Sequence, residues 1–93
     1  MDYSLGELVV SLAGRDSGRL FMVVGAVDDR YIMISDGDLR KIEKPKKKKI
    51  KHVKSMGIIS DLIKYRLDNN YMISNADIRK EIKEFSKEDR EVF

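Results

Sequence analysis

Glu7–Val27 reads ELVVSLAGRDSGRLFMVVGAV, and its reading decides the fold. Leu8-Val9-Val10 is a strand start that runs through Ser11-Leu12-Ala13 into a turn, Gly14-Arg15-Asp16-Ser17-Gly18. Leu20 to Val27 then returns as a β-branched and aromatic run, too short and too apolar for an exposed helix. Gly14 and Gly18 let the chain reverse, because a tight inter-strand loop needs positive φ and Gly adopts it without Cβ strain. Outward from this unit, Asp28-Asp29 marks a turn and Tyr31-Ile32-Met33-Ile34 a further strand. Asp36-Gly37-Asp38 is another turn, leading to Leu39-Arg40-Lys41-Ile42. Pro45 interrupts, and Ile50-Lys51-His52-Val53 alternates as a last short strand. Four or five strands at intervals of about ten residues, each ended by Gly or Asp, predict a mainly β chain: a small antiparallel barrel or sandwich.

Beyond the strands the period changes. Ile58, Ile59, Leu62, Ile63 and Leu67 fall at helical spacing, and Asp68-Asn69-Asn70 ends that helix. A second helix starts at Ser74 as N-cap, with Asp77 near the capping-box position, and carries Ile78, Ile82 and Phe85 as its stripe. Ser86 to Phe93 is mostly charged and is expected to fray. The organisation expected is a barrel with a basic tract over residues 1–54 and a helical extension over 55–93. The two apolar stripes must be buried, either on each other and one barrel face or against a partner protein or a second copy of the chain.

Charge is concentrated. The tract Arg40–Lys54 reads RKIEKPKKKKIKHVK, with nine Lys or Arg around Glu43, about +8 in all, whereas the rest of the chain holds ten basic and fifteen acidic residues. Such a patch attracts polyanions by Coulomb attraction and counterion release, and phosphate backbones are the usual partner. Lysines bind phosphate as mobile point charges, so Lys46, Lys47, Lys48, Lys49, Lys51 and Lys54 favour backbone affinity over base reading. Arg15, Arg19, Arg40, Lys41 and Lys44 support them, and structured RNA, recognised by shape and phosphate, suits the pattern. The plainer alternative is a solvated charged face. Of the aromatics, only Tyr31 follows a turn on the barrel and so is a candidate contact.

Other chemistries find no residues. The chain has no cysteine, hence no disulfide framework and no thiolate site, which suits a reducing cytosol. MDYSLGELVV carries acids where a signal peptide needs cations, and no run reaches the roughly 20 apolar residues of a membrane span. His52 is alone and cannot build a triad or metal site. Asp36-x-Asp38 opens like a calcium loop, but Lys47 stands at the closing position. Gly14–Gly18 lacks the Gly-Lys-Ser/Thr ending of a Walker loop. The expectation is a cytoplasmic, non-enzymatic protein with no cofactor, metal, membrane or small-molecule substrate.

The order Gly6-Glu7-Leu8-Val9-Val10, Gly14–Arg19, Leu20–Val27 resembles the KOW motif of ribosomal proteins and of NusG- and Spt5-type elongation factors. With Asp28–Ile34, the Asp36-Gly37 turn and the basic segment after it, the likeness spans about residues 5–54. It extends to the fourteen-e family of archaeal and eukaryotic large-subunit ribosomal proteins, and to short bacterial ribosomal-like KOW-domain RNA-binding proteins. Many KOW motifs carry a further glycine where this chain has Phe21; the fourteen-e branch tolerates an apolar residue there. The resemblance implies an SH3-like β-barrel that contacts RNA, chiefly ribosomal, through its loops and basic strands. The alternative it leaves is an interaction module of the transcription machinery that binds protein first.

Overall fold

Alternation along the first strands sorts their side chains onto two faces, and both are used. The computed structural model describes residues 3–91. Its strands are β1 (Glu7–Ser11), β2 (Leu20–Ala26), β3 (Tyr31–Ser35), β4 (Lys46–Lys49) and β5 (Val53–Ile59), in one sheet ordered β4-β3-β2-β1-β5. Every pairing is antiparallel: Val9 lies opposite Phe21, Val23 opposite Ile34, Ile32 opposite Lys48, and Ser11 opposite Val53. A meander of four strands whose fifth returns to the first, through one 3-10 turn at Ile50–His52, is an SH3-like arrangement.

Val9, Phe21, Val23, Ile32, Ile34 and Val53 point inward and form the barrel core. Their neighbours one residue along point outward, where Leu8 and Met22 would meet water. Two helices prevent that: α1 (Asp61–Asp68) and α2 (Asn75–Glu91) close a second core of Leu8, Met22, Ile63, Ile73 and Ile78. Burying each such side chain stabilises the fold by about 1.5–3 kcal/mol. Ile63, Leu67, Ile78, Ile82 and Phe85 of the helical stripes therefore cover one barrel face, the first of the two burials considered, while Leu62 stays exposed.

The helix starts are chemically defined. Ser60 caps α1 by accepting from the Ile63 amide at 3.2 Å, and its hydroxyl donates to Glu81 of α2 at 2.6 Å. Ser74 and Asp77 make the expected reciprocal pair: the Asp77 amide donates to Ser74 Oγ at 3.0 Å and the Ser74 amide to Asp77 Oδ2 at 3.0 Å.

Several boundaries differ from the sequence reading. Ile58 and Ile59 belong to β5, which pairs Ile59 with Glu7, so the strand runs through the boundary expected at residue 54. Ile50–His52 is the 3-10 turn, and the strand after the Asp36-Gly37 turn is the lysine run itself, not Leu39–Ile42. α2 continues to Glu91 where fraying from Ser86 was expected; Val92 and Phe93 lie outside the described residues.

Candidate nucleic-acid interface

Strand geometry divides the four consecutive lysines. Successive strand residues face opposite sides, so Lys46 and Lys48 turn toward the β1–β2 loop while Lys47 and Lys49 face solvent. Gly14 and Gly18, both at φ +85°, fold that loop back on itself and bring Asp16 inside it. Asp16 Oδ1 accepts from Ser11 Oγ at 2.7 Å and from Lys48 Nζ at 3.0 Å; Asp16 Oδ2 accepts from Lys46 Nζ at 2.8 Å. Lys48 Nζ also donates to the Ala13 carbonyl at 2.8 Å. Burial alone would raise the Asp16 carboxyl, but the hydrogen bonds from Lys46, Ser11 and Lys48 override it and hold it far below the usual carboxylate range.

Lys48 is thus corrected from an RNA contact to an internal strut: it is only 6% exposed, and its ammonium donates to Asp16 and Ala13. Lys46, half-buried on the same carboxylate, is likewise engaged. Arg19 is engaged too, donating from Nε to Asp36 at 2.6 Å and from Nη2 to Asp38 at 3.1 Å. Asp36 is buried, which would raise its carboxyl; amide donors from Arg40 and Asp38 and the Arg19 guanidinium lower it instead.

The remaining cations point out. Lys47 and Lys49 are exposed along β4, Lys51 on the 3-10 turn, Lys54 on β5 and Arg15 at the loop tip. Arg40, Lys41 and Lys44 are exposed on the β3–β4 loop. Asn75 of α2 pins that loop by accepting from the Ile42 amide at 2.8 Å and donating to the Glu43 carboxylate at 2.9 Å. The single acid of the basic tract is thereby tied to a helix. Its pKa is lowered, first by that Asn75 hydrogen bond.

Tyr31 lies opposite Lys49 in the β3–β4 ladder, and Lys47 Nζ lies 4.5 Å from the centre of its ring, a cation–π contact. Beside it the Ile50 amide donates to the Arg30 carbonyl at 2.8 Å. This bond joins the β2–β3 turn to the end of β4 and shapes a cleft of about 430 Å³ lined by Asp29, Arg30, Tyr31, Lys49, Ile50 and Lys51. Arg30 was not among the residues picked out by sequence. It stands ten positions before the tract, and only strand pairing brings it to Lys49.

A five-stranded SH3-like sheet with a glycine-turned β1–β2 loop, a cationic flank and a helical cover is consistent with the KOW resemblance read from the sequence. Comparison with curated proteins agrees. The chain is similar to the large ribosomal subunit protein eL14 of Staphylothermus marinus, 25% identical over 85 residues that span 89% of this chain and 88% of that protein. No protein-family model matches the chain.

Proposed function

We propose that this is a non-enzymatic, ribosomal-like RNA-binding protein of the translation apparatus, working in the cytoplasm and holding structured RNA by its phosphates. The observation that carries this reading is the division of charge on the lysine tract. Lys46 and Lys48 are engaged by Asp16, yet Lys47, Lys49 and Lys51 remain exposed, Lys49 and Lys51 in one cleft with Arg30, and Lys54 is exposed on β5. Solvent-facing cations along a strand and the turn that follows it match an extended phosphate backbone better than a compact ligand. The eL14 relative, a large-subunit protein by name, supports ribosomal RNA as the partner and neighbouring ribosomal proteins as further contacts.

Titration of the protein with a ribosomal RNA hairpin at rising salt tests it. About five phosphate contacts give a slope of log K against log salt of roughly −3.5 to −4.5. Binding that ignores salt would sink the reading and favour an interaction module that meets protein first.

A further inference from the structure

The cleft at the end of β4 differs in kind from the lysine row that leads to it. The row lies open to solvent on an edge strand. The cleft is concave, and its volume of about 430 Å³ falls at the lower end of the roughly 300–1,000 Å³ of small-ligand sites. Its walls combine two chemistries. Arg30, Lys49 and Lys51 supply three cations against one acid, Asp29, while Tyr31 and Ile50 supply an aromatic ring and an apolar side chain. Lys47 lies over the Tyr31 ring and fixes how that ring is presented. The Ile50–Arg30 backbone bond fixes the distance between the two halves of the cleft.

We propose that this cleft is a subsite for one unpaired nucleotide of the bound RNA, with its phosphate on Arg30, Lys49 and Lys51 and its base against Tyr31 and Ile50. The inference rests on the RNA-binding reading above and adds what that RNA must present. A paired base has both faces covered by its neighbours in the stack and cannot meet a protein ring. A bulged or looped-out base can, and aromatic contact with such bases is tolerant of sequence. The lysine row would then hold the adjoining helix while the cleft takes the one nucleotide that departs from it.

The test compares, on the full-length protein, a fully paired RNA hairpin, the same hairpin with a one-nucleotide bulge, and a version whose bulge is abasic. The bulged RNA is expected to bind about tenfold more tightly than the other two. Tyr31→Ala should remove that preference while leaving the paired hairpin within about twofold of wild type, whereas Arg30→Gln should weaken both RNAs and the bulged one more. Tyr31→Phe, which keeps the ring, should retain the preference. Equal affinity of the wild-type protein for the paired and bulged hairpins would overturn the subsite and leave the RNA reading intact. So would equal losses on both RNAs in Tyr31→Ala and Arg30→Gln. Failure of every hairpin to bind would overturn both.

Discussion

Four identical residues in a row, Lys46 to Lys49, fall into two pairs, one on Asp16 and one facing solvent. Lys48→Met should leave Asp16 in a loop it was folded to fill with one cation fewer, at a cost of roughly 3 kcal/mol seen by thermal melting. Lys47→Gln with Lys49→Gln should leave the melting temperature nearly unchanged and flatten the salt slope of RNA binding by about 1.4–1.8. The reverse pattern would mean that the strand presents its other face. Asp16 adds a pH signature. Its folded-state pKa lies below its ordinary value of 3.8, so its contribution is full above about pH 5 and declines as pH falls through 4 and below. Asp16→Asn should therefore be less stable than wild type at pH 7 and lose less on acidification, as measured by denaturant midpoints. Asp36 and Asp77, also lowered, keep some slope. None of this division could be read from KKKK, because a two-residue period is invisible when every residue is alike. The lone Asp16 in the glycine turn was legible as a residue, but its partners stand 30 and 32 positions away.

Strands β1 to β3 were legible because their apolar runs are long and their turns carry Gly or Asp. β4 was not, since four lysines have no strand propensity of their own and are extended by pairing with Tyr31–Ile34. Ile58 and Ile59 misled for a related reason: with Leu62 and Ile63 they fit helical spacing, but Ser60 caps the helix after them. The contact between α2 and the barrel turns on Gly37, which stands at φ +73°; a Cβ there would fall on the Asn75 carbonyl and lie 3.1 Å from Arg79 Cγ. The Gly37 carbonyl also accepts from Arg79 Nη1 at 2.6 Å. Gly18 has similar φ but open space around it. Gly18→Ala should cost only backbone strain, about 1–2 kcal/mol. Gly37→Ala should cost clearly more, because helix α2 must also shift. Equal melting temperatures for the two variants would show that α2 does not bear on the turn.

For the whole molecule, the two cores back onto one sheet, so barrel and helices should unfold together. A chain ending at Ile59 keeps every residue of the basic tract and the cleft, yet exposes Leu8 and Met22. It should lose roughly 3–6 kcal/mol, visible as a large fall in melting temperature or as collapse of NMR dispersion. A shortened chain that melts like the full one would make the helices an independent appendage. The strand order has one more consequence. β4 ends the sheet, and an outermost strand presents unpaired amides and carbonyls that can template pairing with another molecule's edge. Here that margin is lined with lysine, so two copies approaching edge to edge meet like charge at close range. Neutralising Lys47 and Lys49 would remove a guard against fibrous self-association as well as the proposed grip on phosphate.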